Sequence, residues 1–356
     1  MTSIPATNTA AEFGSRRNTA ILITGAGGEV GHGLISALHD GGSRDVVAMD
    51  IRELPDSLRA QCRETMVGDI CDDALLSRLL SMYEISEIHH LAALLSTRSE
   101  FAPETAHKVN VGGTINLLRL AAEQARSHGR RVKFIFPSSI AAYGMPDLRT
   151  KAAAGRVREH EHTLPTTMYG CNKLYCEQLG RYYARHYRQL AQDRMADLID
   201  FRSVRFPGLI SADTIPSGGT SDFAPEMIHA AAEGRPYACF VRPDTTIPFM
   251  TMPEAIDATL QLAAAEASTL TQCVYNISSF SPSAGDIADL VREFFPDATI
   301  TFEPDEARQA IVDSWPEDVD CSAAMNDWGY RPQHDLRSAF RDYLVPQITA
   351  RYPERV

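Results

Sequence analysis

The feature that most constrains this chain is a glycine-spaced loop, Gly25-Ala26-Gly27-Gly28-Glu29-Val30-Gly31, placed directly after the apolar run TAILIT at 19–24. An apolar run of that length reads as a buried strand, and the stretch 31–40 after it reads as a helix. A strand that turns through glycines into a helix builds an anion site. The first glycine permits the tight turn, the second lets backbone approach a pyrophosphate, and the third lets helix pack on strand. Free N–H groups and the helix dipole then favour the phosphates. Gly25, Gly28 and Gly31, with Glu29 and Val30 between them, are therefore candidate dinucleotide-binding residues. A glycine triplet alone is weak; the flanking strand and helix are the context that gives it meaning.

Further strands are expected at 45–50, 87–91, 132–137 and 200–206, and helices at 74–82, 106–126 and 169–189. This alternation predicts βαβ units and an α/β fold, a Rossmann-like doubly wound parallel sheet. The polar stretch 147–162 reads as a loop beside the active site. Later helices are expected at 283–295, with Ser283 as N-cap, and at 336–351. At 356 residues the chain has room for more than one part. The division expected is a flexible tail over 1–18, an NAD-binding part over 19–206 and a smaller, mainly substrate-binding part over 207–356. Some segments of the last part return to the sheet.

Asp50 closes the second strand, 19 residues after Gly31, where a carboxylate accepts from the adenosine ribose hydroxyls. It would repel a 2′-phosphate, so NAD is expected as cofactor, although Arg52 stands two residues on. Asp69 and Ile70 follow a third strand, and Asp69 is placed either near the adenine or in a plain solvated turn. Leu91, Ala92 and Ala93 close the next strand with small residues, as a backbone passing close to the cofactor needs.

Tyr169 and Lys173 stand at i and i+4, on one face of a helix. A free phenol has a pKa of about 10. A nearby ammonium and a positive nicotinamide ring both favour phenolate. Tyr169 can then remove an alcohol proton as hydride leaves for NAD. The pair alone occurs often by chance, and its partner makes it specific. Ser138 and Ser139 end a strand, and Ser139, 30 residues before Tyr169, is the preferred hydroxyl to hold the substrate oxygen. Asn110 is either the anchor of a relay water or a helix-surface amide. Cys171 reads as a small buried residue, and His89-His90 as packing groups.

The glycine loop, Asp50, Ser139, Tyr169 and Lys173 together resemble the extended short-chain dehydrogenase/reductase superfamily, with its epimerases and dehydratases. Within it the chain is similar to the short-chain L-threonine 3-dehydrogenases. The likeness is carried by HLAALLS (90–96), KVNVGGT (108–114), TTMYGCNKLYCEQLG (166–180), FRSVRFPGLIS (201–211), PSGGTSDFAPEMI (216–228) and DSWPEDVDCSAAMNDWGY (313–330). The resemblance implies hydride transfer from the β-carbon of threonine to NAD, giving 2-amino-3-oxobutyrate. It implies Ser139, Tyr169 and Lys173 as the catalytic set, with Asn110 and Pro207 beside the cofactor. It implies substrate contacts from Ser96, Ser139, Tyr169, Gly219, Thr220 and Ser221, and a homodimer built on the helices at 106–126 and 169–189. Ser139 and Ser221 stand where such enzymes often carry threonine. The stretch 147–163 is longer than the pattern predicts, and covering the pocket there would change the substrate.

Two alternatives remain. A nucleotide-sugar 4-epimerase or dehydratase would need polar groups where this chain has Phe206-Pro207-Gly208 and Ile247-Pro248-Phe249-Met250. A dehydrogenase of another small hydroxy or sugar acid would share all the chemistry. The net charge of -12 disfavours nucleic acid and anionic membrane as partners. Seven scattered cysteines without a CxxC pair suggest neither a disulfide framework nor a metal site. With no apolar run of about 20 residues, a cytoplasmic enzyme with a small-molecule substrate is the expectation.

Overall fold

The computed structural model describes residues 19–216 and 219–352; the tail assigned to 1–18 lies outside the described residues. The first half builds β1 (Thr19–Thr24), α1 (Glu29–Asp40), β2 (Val46–Asp50), β3 (Glu64–Val67) and β4 (Glu84–His90). There follow α2 (Gly113–His128), β5 (Val132–Ser139), α3 (Met168–Arg185) and β6 (Ile199–Phe206). From the second half, α4 (Met252–Ala264) and β7 (Val274–Asn276) join the same layers. The seven strands form one sheet in the order β7-β6-β5-β4-β1-β2-β3, and every neighbouring pair is parallel. This is the Rossmann-like α/β fold expected. Strand order reverses between β1 and β4, which opens a crevice at their C-terminal ends.

Parallel strands covered on both faces must be apolar throughout, and Val46, Val47, Ala48 and Met49 of β2 are all fully buried. One face packs Leu117, Leu118 and Ala121 of α2 against Phe134 and Phe201. The other packs Leu34 and Ile35 of α1 against Ile256 of α4. A third core, around Phe223, Phe249, Ile287 and Phe340, fills the C-terminal part. Buried Arg202 on β6 ties that part to the sheet. It donates to the carbonyls of Leu262, Ala263 and Ala265 at the end of α4, and Asp200 neutralises it. Carbonyls left free at a helix end are what a cation there satisfies.

Three local expectations are corrected. The stretch 147–162 is not a loop throughout. Asp147 caps a helix over Leu148–Ala154, and Arg156–Val157 pairs with Asp318–Val319. Three alanines behind an N-cap residue carry that helix, because alanine is the best helix former. The helix expected at 106–126 starts earlier, at Pro103, and passes through a π turn over Lys108–Gly112 before α2. Cys171 is exposed on the outer face of α3, not buried. The capping box of Ser283 and Asp286 opens the helix Ala284–Phe294 as expected.

Candidate active site

The glycine loop sits at the crevice. Gly25 has φ +69, and a Cβ there would meet Ala92 N at 2.5 Å, so β1 turns in contact with the loop after β4. A Cβ on Gly31 would meet Ala26 O at 2.5 Å, so α1 rests on the loop itself. Gly28 is the N-cap of α1, and no side chain caps it. The first-turn N–H groups of a twelve-residue helix therefore face outward between glycines, as a pyrophosphate needs. Glu29 is exposed at the first position of α1, and Val30 turns inward against the core.

Asp50 ends β2 and accepts from Gly27 N at 2.9 Å and Arg52 N at 3.1 Å. Its carboxylate thus lies against the glycine loop, where a ribose would bind. Asp69 is exposed and accepts from Cys71 N. Ile70 is buried under α2, close to Gly113. Leu91 N bonds Thr24 O, which keeps β4 level with β1. These groups together fit a dinucleotide across the crevice.

Asn110, inside the π turn, is not a surface amide. Its Oδ1 accepts from Leu94 N at 2.7 Å and its Nδ2 donates to Leu94 O at 3.0 Å. Both polar ends of the side chain hold the loop after β4. Buried His90 continues the framework. Its Nδ1 meets Thr24 Oγ1 and its Nε2 meets Thr114 Oγ1, both at 2.9 Å. Thr114 donates to Asn110 O, so its oxygen accepts from His90 Nε2–H, and Thr24 donates to Nδ1. Burial, with the Lys173 ammonium nearby, pushes this imidazole down to about 3.

Tyr169 and Lys173 lie on the inner face of α3, which Thr167 caps by accepting from Gly170 N. A Cβ on Gly170 would fall 2.0 Å from Ala141 O, so the helix start is pressed onto the turn after β5. Ser139 ends β5 and accepts from Ala141 N, which puts its hydroxyl on that same turn. It pairs in register with Phe206, so Pro207, buried, stands on the same sheet edge. Lys173 Nζ donates to Pro137 O at 2.6 Å and lies 5.5 Å from the centre of the Tyr169 ring. Burial pushes the Tyr169 phenol up and the Lys173 ammonium down to about 8. Ser138 faces the other way and donates to Glu177, so it offers nothing to a substrate.

The candidate substrate residues meet from opposite ends of the chain. Thr220 Oγ1 donates to Ser96 Oγ at 3.1 Å. Gly219 N donates to Asp222 at 2.6 Å, and Gly219 O accepts from Arg308 at 2.8 Å. Ser221, half-buried, follows Thr220. Three groups at the site escaped the sequence reading: Arg308, Glu177 and Arg205. Glu177 did leave a signal, a carboxylate four residues after Lys173 on the inward helix face. Arg205 left another, a cation inside the apolar strand.

Residues 21–278 match the model of the NAD dependent epimerase/dehydratase family. The chain is 34% identical over 325 residues to the mitochondrial L-threonine 3-dehydrogenase of Bos taurus, covering 91% of this chain and 81% of that one. A holo form of the GalE-like L-threonine dehydrogenase from Cupriavidus necator superposes with a TM-score of 0.81 at 35% identity, over 92% of this chain and 99% of that one. A monomeric L-threonine 3-dehydrogenase from a metagenome superposes with a TM-score of 0.80 at 33% identity, over 93% and 99%.

Proposed function

The chain belongs to the NAD-dependent epimerase/dehydratase family, and as such an NAD-dependent oxidoreductase acting on CH–OH we propose that it oxidises L-threonine to 2-amino-3-oxobutyrate. The observation that carries the chemistry is the ammonium of Lys173, held by Pro137 O beneath the Tyr169 ring. We assign Tyr169 as the general base, Lys173 as the group that makes it one, and Ser139 as the hydroxyl that holds the substrate oxygen. Burial alone favours the neutral phenol, so the nearby positive charge must bring it into range. Bound NAD supplies the hydride acceptor. Gly25, Gly28, Glu29, Val30, Gly31, Asp50, Asp69, Ile70, the 91–93 loop, Asn110 and Pro207 would hold or frame it.

The Ser96–Thr220 bond supports a small substrate. It draws the helix Ser96–Phe101 and the segment after Gly219 together across the cleft, where a nucleotide would need room. Phe249 and Ile247 are fully buried in the core, so they offer no polar group to a nucleotide diphosphate. Gly219, Thr220, Ser221 and Ser96 are the proposed substrate contacts. We read 19–206, with the returning α4 and β7, as the cofactor part and the remainder as mainly substrate-binding.

A homodimer and a cytoplasmic location belong to the same proposal. The outer face of α3 exposes Tyr175 and Tyr182, and Phe101 beside it is 85% exposed. That is a suitable apolar face for a second copy, although a related enzyme is described as monomeric. All seven cysteines are free, as a reducing compartment allows. No described helix is long and apolar enough to cross a membrane.

The test is NADH absorbance growth with NAD and L-threonine, beside a panel of 3-hydroxy acids. Threonine turnover with a KM in the ordinary range of about 1 μM to 1 mM supports the proposal. Turnover of another panel member alone would keep the chemistry and move the substrate.

A further inference from the structure

Behind Lys173 lies a buried ion pair that the reaction as described does not use. Glu177, 1% exposed, is one turn along α3 from Lys173, and Arg205, 2% exposed, is near the end of β6. The contact is two-pronged: Arg205 Nε meets Glu177 Oε1 at 2.8 Å and Nη2 meets Oε2 at 2.7 Å. Ser138 Oγ donates to Oε1 at 2.5 Å. Arg205 Nη1 donates to Glu159 O at 2.9 Å, and the guanidinium lies 4.6 Å from the Tyr143 ring centre. The pair thus joins α3, the end of β5, β6 and the stretch 147–162. Replacing a buried ion pair by apolar residues often leaves a fold equally stable, so its place calls for another reason.

We propose that Glu177 and Arg205 are positioning residues for the reaction, holding the Lys173 ammonium charged and fixed beneath Tyr169. The proposal rests on the assignment of Tyr169 and Lys173 above. Its geometry is a double tie. Lys173 bonds Pro137 O and Glu177 bonds Ser138, so consecutive residues of β5 grip α3 one turn apart. That fixes the helix against the strand whose last residue is Ser139. Its electrostatics are equally local. From α3 the ammonium faces Tyr169, Cys176 and Glu177, and from the sheet His90, Phe136 and Pro137 O. Behind Cys176, α2 presents Thr114, with Asn110 O before it. His90 is neutral, and burial pushes the Cys176 thiol up to about 11. Glu177, ion-paired with Arg205, is therefore the negative charge of this set, and Arg205 aims it. Removing that charge leaves the Arg205 cation uncompensated beside a second cation, which disfavours the ammonium.

Lysine occurs at only four positions, 108, 133, 151 and 173, so isotope-labelled lysine gives few side-chain NMR signals. Lys173→Met identifies the relevant one. In Glu177→Gln the Lys173 signal is expected to titrate about one to two pH units lower than in the parent. NADH binding should persist, while kcat falls and its alkaline limb moves down with the lysine. A folded Glu177→Gln with an unmoved Lys173 titration and an unmoved kcat profile overturns the proposal. Should that variant not fold, the double variant E177M/R205M, which leaves no buried charge alone, carries the test. A parental Lys173 titration and parental kcat in it overturn the proposal; a lowered titration supports it. Full turnover in Tyr169→Phe would instead remove the catalytic assignment, whatever the effect of Glu177→Gln on the lysine titration.

Discussion

Acid should weaken this protein through His90 more than through any surface group. The imidazole is 1% exposed and bonded at both nitrogens to threonine hydroxyls. Its folded value, about 3, lies below the ordinary 6.5. The unfolded chain therefore takes the proton first, and stability is lost as pH falls below about 6.5, levelling off near the folded value. Each pH unit in that window is worth about 1.4 kcal/mol for one proton. From about pH 7 to pH 4.5 the contribution of His90 amounts to about 2–3 kcal/mol. The assay is urea unfolding across that range for the parent and for His90→Asn, whose amide keeps a donor and an acceptor. The variant should start less stable and show a flatter profile, so the gap between the two closes on acidification. Carboxylates such as Glu87, held low by its His89 and Lys133 partners despite burial, also lose stability in acid, but equally in both proteins. A gap that stays constant from about pH 7 to 4.5 would refute the neutral, buried imidazole.

Other outcomes follow from the same geometry. Tyr169→Phe should lower kcat by about 10² to 10⁴ while NADH still binds, as measured by fluorescence titration. In Gly170→Ala the new methyl would lie 2.0 Å from Ala141 O, pushing α3 off the turn. A loss of about 1–3 kcal/mol in unfolding experiments, with a fall in kcat, is expected. Asp50→Asn should weaken NAD binding and narrow the preference over NADP, read from the two Kd values; an unchanged preference would remove Asp50 from the ribose site. Ser96→Ala and Thr220→Ala should each raise KM, and the double variant should be less than additive, because the hydroxyls bond each other.

Much of this was written in the sequence because it depends on neighbours along the chain. The glycine loop between an apolar run and a helix, the i, i+4 spacing of Tyr169 and Lys173, and a hydroxyl at a strand end are local patterns, and local sterics give them their shape. Periodicity likewise sufficed for the parallel strands. It failed at 147–162, where polar residues hid a capped helix, and at α4 and β7, whose membership of the sheet layers depends on partners far away. Tertiary structure alone decided which polar groups are already taken. Ser138 and Ser139 are adjacent and chemically alike, yet the pleat sends one to Glu177 and leaves the other on the turn against α3. Asn110 is bound at both ends by Leu94, and Ser96 meets Thr220 across 124 residues. Glu177 with Arg205 belongs to the same class: a buried charge is tolerable only where it is paired, and here the two partners come from a helix and a strand 28 residues apart.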